Sequence, residues 1–269
     1  MTNDVIGIIS IKGGVGKTTV VVNLATVLAR EFKKKILVID SNISTPNLGL
    51  HLGLLEPEVA LHDVLEDRVL TKDAIYQHEY GFDILPSSIR GSLANALKLK
   101  EKIKGIKKRY DIILLDTSPT INKELLAAMH ASDKLFVITT PDRITLDMTI
   151  RATKIAREKG TPILGIILNR VKNKKYELTI DRIESRTKVP VIAVIKENNK
   201  IYQSIHRTKP VVITNPHSNI AIEFKKLAAA ILEERYIQPN ILKRILNYVI
   251  EDIDSFRTHN FKKKLKYYK

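Results

Sequence analysis

The stretch from Val5 to Asn23, VIGIISIKGGVGKTTVVVN, constrains this chain more than any other. A hydrophobic strand from Val5 to Ile11 runs into a glycine-rich turn and then directly into a helix that begins near Lys17. Gly13, Gly14 and Gly16, with Val15 among them, let the backbone curl with its N–H groups pointing inward, and the helix adds the positive end of its dipole. Such a turn favours an anion. Lys17 is placed to meet the β- and γ-phosphates of a nucleotide, the Thr18 hydroxyl to bind a magnesium ion bridging them, and Thr19 to reach the phosphate nearer the ribose. The plain alternative is a glycine turn with solvated lysines. Against it, strand, glycines, Lys-Thr-Thr and apolar helix occur in the order that a phosphate loop requires.

The match to G-x-x-x-x-G-K-[ST] departs at one place. Ile11 holds the position of the first glycine, and a second lysine, Lys12, stands just before the glycines. A lysine at the lip of the loop, followed by GGVGKTT, resembles the deviant Walker A motif of the MinD/ParA family of ATPases. The resemblance implies that Lys12 reaches phosphate across a sandwich dimer, so that Lys12 and Lys17 are both expected at the reacting phosphates. It also implies a P-loop NTPase fold, an α/β architecture with a doubly wound, mainly parallel sheet. The ligands would be ATP, ADP and Mg2+, and ATP would hold a homodimer together. The likeness, strongest to archaeal MinD-like chains, covers about residues 3 to 235.

Composition bounds the rest. A chain of 269 residues that is 44% hydrophobic can bury one large core. We expect one ATPase domain over residues 1–236 and a helical, basic extension over 237–269. No apolar run approaches the roughly 20 residues of a membrane-spanning helix, and the N-terminus lacks a basic region before its apolar stretch, so a cytoplasmic protein is expected, with peripheral membrane attachment as an option. With zero cysteines the chain has no disulfide, no cysteine-bound metal and no thiolate chemistry. The net charge of +16 suits phosphate-rich partners, although a lysine-rich solvated surface gives the same number.

Four further strands end where ligands gather in a parallel sheet. KKKILVID closes on Asp40, and the loop SNISTPNLGLHLGL follows it. The family pattern there resembles D-x-D-x-x-x-x-N-L, and it implies that Asp40 takes part in catalysis and magnesium binding while the second acid positions the attacking water. That second position is Asn42, and an amide can orient a water but offers it no charge or basicity, so slow hydrolysis is expected. RYDIILLDTSPT closes on Asp116, placed to hold a magnesium-bound water, with a buried helix cap as the plainer reading. The family continues D-x-x-x-G, but Thr120 stands in place of the glycine, and a side chain restricts the loop that senses γ-phosphate. TPILGIILNRV ends in Asn169-Arg170, which resembles the position where an asparagine reads the adenine edge. VPVIAVIKENNK supplies the next strand and loop, where the V-I-P-E-D usual in the family becomes V-I-K-E-N, in which Lys196 departs from the pattern and Glu197 keeps it.

Elsewhere, LHDVLED and TKDAIYQH read as short helices, GFDILPSS as a strand, and residues 92–109 as one helix with a solvated lysine face. RITLDMTIRATKIAREKG is a helix with a glycine stop. In the extension, Leu242, Leu246, Val249, Ile253 and Phe256 recur at spacings of four, three, four and three, an amphipathic helix preceding the tail RTHNFKKKLKYYK. The five lysines of that tail suit an anionic membrane, but Glu251, Asp252 and Asp254 suit it less, so a protein partner stands beside the membrane and DNA behind both. The resemblance implies an ATPase that positions a cell-division, motility or chromosome cargo. The alternatives are a nearly inactive nucleotide-dependent scaffold and an ATPase chaperone for metal or cofactor delivery.

Overall fold

The structure is a computed structural model that describes residues 3–54, 56–88 and 95–233. Its strands are β1 (Asp4–Ile9), β2 (Ile36–Asp40), β3 (Tyr76–Gln77), β4 (Asp83–Leu85), β5 (Ile112–Asp116), β6 (Lys134–Thr139), β7 (Ile163–Val171) and β8 (Val191–Lys196). They form one sheet in the order β3-β4-β2-β5-β1-β6-β7-β8. Every pair is parallel except β3 with β4. The helices are α1 (Lys17–Arg30), α2 (Leu48–Leu52), α3 (Leu61–Leu65), α4 (Leu99–Lys104), α5 (Lys123–Ala131), α6 (Arg143–Glu158), α7 (Ile180–Thr187), α8 (Asn199–His206), α9 (Val211–Thr214) and α10 (Asn219–Ile231). This is the expected doubly wound, mainly parallel α/β sheet.

The central strands are apolar on both faces because helices cover both. Ile6, Ile8, Val38, Leu114, Phe136 and Ile138 pack beneath α1 and α10. Their alternates face the other way, with Val5, Leu37, Ile39, Ile113 and Leu115 against α3, α4 and α5, and Ile9, Leu135 and Val137 against α5, α6 and α7. Helix α1 is buried along most of its length, as its nearly continuous apolar sequence requires. Asn23 carries the only amide on that buried face among the described residues, and it is satisfied by Thr19 O at 2.8 Å and Val212 N at 3.1 Å.

Two sequence readings are corrected. TKDAIYQH is a 3-10 turn over Thr71–Ala74 followed by β3, because Tyr76 pairs with Ile84 across the sheet edge and its hydroxyl bonds both backbone groups of Val59. The segment read as one helix over residues 92–109 is, where described, a 3-10 turn at Ala96–Lys98, then α4, then a second 3-10 turn at Lys107–Arg109. Gly105 breaks it, since glycine gives up most entropy in a helix. Its lysines are also not simply solvated, because Lys98 and Lys102 both pair with Asp67. The readings for the extension lie outside the described residues. Among the described residues no helix is long and apolar enough to cross a membrane.

Candidate functional site

The sheet places five chemistry-bearing segments at its carboxyl edge. β1 leads into the glycine loop, where Gly14 and Gly16 take left-handed φ values of 75° and 94° and turn the chain into α1. Gly16 has a second constraint, because a Cβ there would lie 2.4 Å from Asn169 Nδ2. No hydrogen bond is made within the described residues by the N–H groups of Gly13, Gly14, Val15, Gly16, Lys17, Thr18 or Thr19. A helix start leaves such donors over by its geometry, and here they gather around one turn.

Two strand-end carboxylates stand beside that turn. Asp40 and Asp116 are partners in the β2–β5 register and are 0% and 2% exposed, so two acids share one buried place. Asp40 accepts N–H groups from Asn42 (3.2 Å), Asn47 (3.1 Å) and Leu48 (3.0 Å). Burial, then the charge of Asp116, nevertheless push its carboxyl well above the usual range. Asp116 accepts the Thr18 hydroxyl on Oδ2 at 2.6 Å, while its Oδ1 is buried with no partner among the described residues. Burial raises Asp116 to about 6, against the Thr18 hydrogen bond and the Lys17 charge. Lys17 is 8% exposed, and burial lowers its pKa while Asp116 works to restore it. The cluster is thus short of positive charge, and a divalent cation would both fill the free Oδ1 and relieve two crowded acids. By donating its proton to Asp116, Thr18 leaves lone pairs on its own oxygen for such an ion.

On the other side of the glycine loop, Gly16 and Thr19 form one wall of a recess whose other walls include Asn169, Arg170, Lys196, Glu197 and Tyr202. Asn169 is buried and donates its amide to Val15 O at 2.7 Å, so it braces the loop as well as lining the recess. Arg170 adopts a left-handed φ of 57° at the exposed end of β7. Both Glu197 oxygens are engaged, one by the Tyr202 hydroxyl at 2.6 Å and the other by Lys172 at 3.1 Å.

Two expected side chains are engaged by other residues. Lys12 Nζ donates to Thr145 Oγ1 at 2.7 Å and lies 3.4 Å from Asp142, both at the start of α6. Partial burial opposes ionisation of Asp142, but hydrogen bonds from Thr140 and Thr145 carry its pKa down to about 2, leaving a firm anionic partner for Lys12. The Asn42 amide donates to Thr45 O in a short contact and accepts from Thr45 Oγ1 at 3.1 Å, so both its ends are occupied by its own loop. Thr120 is exposed and is not among the residues at positive φ, so this loop does not call for glycine there in this conformation. Asp142, Thr145 and Tyr202 were not anticipated. Asp142 could have been found as a helix N-cap directly after a strand-ending Thr-Thr-Pro, the other two only in three dimensions.

Comparison with known proteins gives a consistent picture. A family model described as "AAA domain" matches residues 3–148, and a second of the same description matches residues 115–205. An uncharacterized ATP-binding protein of Methanocaldococcus jannaschii is 36% identical over 234 residues, 86% of this chain and 88% of its own. Among solved structures, the Pyrococcus furiosus cell division ATPase MinD superposes with a TM-score of 0.81 at 32% identity, covering 86% of this chain and 99% of its own. The septum site-determining protein MinD of Pyrococcus horikoshii, solved in complex with Mg-ADP, gives 0.80 at 33% identity over 86% and 96%.

Proposed function

Since the chain belongs to the MinD/ParA family of P-loop ATPases, we propose that it binds ATP and ADP with Mg2+ at the glycine loop, closes into a homodimer with ATP, and hydrolyses it slowly. The output would be the positioning of a cell-division, motility or chromosome cargo. One observation carries the reading: a ring of free N–H donors and the buried Lys17 stand beside Thr18 and a carboxylate with one unpartnered oxygen. In this reading the N–H groups of Gly13 to Thr19 grip the phosphates, and Lys17 carries its charge to the β- and γ-phosphates, whose anions restore the pKa that burial lowers. Thr18, Asp116 and Asp40 would hold Mg2+, which when bound supplies charge for the developing phosphate oxygens. Asn169, Arg170 and Glu197 would receive the base, with Glu197 as a wall fixed by Tyr202 and Lys172. A titration with fluorescent ADP, with and without Mg2+, tests this. Binding that ignores Mg2+ would contradict it.

A second reading, the nearly inactive scaffold, draws on the engagement of both ends of Asn42 with Thr45. Such a protein would bind ATP and dimerise but turn over negligibly.

Lys12 is assigned to the partner's phosphates, and in the single chain it rests on Asp142 and Thr145. Lys12→Ala should therefore weaken ATP-dependent dimerisation at least tenfold, about 1.4 kcal/mol, while monomer affinity for ADP stays within about threefold. Light scattering beside an ADP titration measures both, and normal dimerisation by the variant would refute the role in trans. For the extension we propose an anionic membrane or a protein partner. Each lysine near such a membrane contributes about 1 kcal/mol, and two copies in a dimer add through effective concentration. Removing residues 239–269 should leave nucleotide binding intact and abolish ATP-dependent sedimentation with anionic liposomes. Sedimentation equal to that of the full chain would show that the extension is not the anchor.

A further inference from the structure

Glu124 is a buried acid that neither the fold nor the proposed phosphate chemistry requires. It lies in the first turn of α5 and is 7% exposed. Its Oε1 accepts the backbone N–H of Ser44 at 3.0 Å and, in a short contact, the Ser44 hydroxyl. Its Oε2 is buried with no partner among the described residues. Burying a carboxylate with half its acceptors unused is costly. Ser44 itself is exposed, so water would serve its N–H and hydroxyl if the acid were absent. For stability alone the contact is therefore a poor exchange, and uncompensated buried polar atoms of this kind concentrate where function sets the sequence.

What the contact achieves is placement. Ser44 stands in the middle of the loop after Asp40, and Glu124 lies in the first turn of the helix that closes the loop after Asp116. The neighbouring residues of the first loop are held from other directions. Ser41 bonds the Asp116 carbonyl through its N–H at 2.9 Å and its hydroxyl at 2.8 Å. His62 of α3 lies beside Ile43, and its Nδ1 accepts the Ser88 N–H at 3.3 Å. Asn42 is closed onto Thr45. Ser41 ties the roots of the two loops together, and the Ser44–Glu124 contact ties the middle of one to the far end of the other.

We propose that Glu124 is a positioning residue for ATP hydrolysis: through Ser44 it makes the loop carrying Asn42 and the loop from Thr117 to Asn122 move as one body. The groups on these two loops that the ATPase reading assigns to the γ-phosphate are then set together instead of independently, which matters because phosphoryl transfer depends chiefly on positioning. This rests on the ATPase reading above, and it concerns turnover, not nucleotide affinity.

The test is steady-state ATP turnover, ADP affinity and thermal unfolding of the full chain carrying Glu124→Ala, Glu124→Gln, Ser44→Ala and the Glu124→Ala/Ser44→Ala pair. Glu124→Ala should lower kcat about tenfold or more, with ADP Kd and KM for ATP within about twofold and Tm unchanged or raised. Glu124→Gln keeps an acceptor for Ser44 and should retain kcat within about threefold. The double variant should lose no more than Glu124→Ala alone, the non-additivity expected of residues that act through one contact. Loss of ADP binding or a fall in Tm parallel to kcat would make Glu124 merely structural and overturn the role. So would additive losses, or a Gln variant as slow as the Ala variant. Normal turnover in the unsubstituted chain with Glu124→Ala within twofold of it overturns this role alone, whereas an unsubstituted chain with no turnover overturns both this role and the ATPase reading.

Discussion

Lys17→Ala should abolish measurable Mg-nucleotide binding, a loss of at least about 100-fold in affinity or 2.7 kcal/mol. The side chain is buried beside the glycine loop and Asp116, so its ammonium is largely desolvated in advance. Removing it takes away the charge-assisted bonds to phosphate, each worth about 1.5–3 kcal/mol. It also strips Asp116 of its nearest cation and leaves two crowded carboxylates facing the incoming phosphates. The fold should survive, because α1 is anchored by Val20, Val21, Leu24, Val27 and Leu28, all essentially unexposed. A fluorescent-nucleotide titration that found Lys17→Ala within threefold of the parent would remove the basis of the site.

Asn42→Asp should raise ATP turnover by about 10-fold or more. General-base assistance is commonly worth about 10²–10⁴ in rate, but phosphoryl transfer leans on positioning and charge, which places the gain at or below the low end of that range. The structure adds a second reason for a gain. A carboxylate cannot donate to Thr45 O, so the substitution breaks the Asn42–Thr45 closure and frees a side chain that is now fully engaged. The same change brings a third carboxylate near Asp40 and Asp116, so the Mg2+ requirement should become steeper. The measurement is a phosphate-release assay with ADP affinity checked in parallel. Equal rates at equal affinity would mean either that the water is held by another residue or that Asn42 does not stand at the water-positioning place.

The parts of this protein that could be read in the sequence are those encoded locally. The glycine loop, the start of α1 at Lys17 and the strand ends at Asp40 and Asp116 follow from short runs of residues, and each stands where it was expected. The adjacency of Asp40 and Asp116 needed only the rule that parallel strands present their carboxyl ends to one crevice. Contacts made across the sheet were not legible. Lys12 meets Asp142 from 130 residues away, Asn169 reaches back 154 residues to Val15, and Ser44 meets Glu124 across 80. Composition misled where tertiary pairing overrode it, as at β3, whose Tyr76 answers to β4 and not to the helical pattern around it. Glu124 reads in sequence as an ordinary acid in a first helical turn, and only its burial distinguishes it.

The central claim is that ATP, and not ADP, closes two copies of this chain over the glycine loops. Light scattering of the full chain with Mg2+ and a non-hydrolysable ATP analogue tests it most directly, with Mg-ADP as the comparison. The account predicts a shift from 30.5 kDa to twice that mass with the analogue, no shift with ADP, and no shift in Lys17→Ala with either. A mass that stays at the monomer value while the analogue is bound, or that doubles equally with ADP, would contradict it.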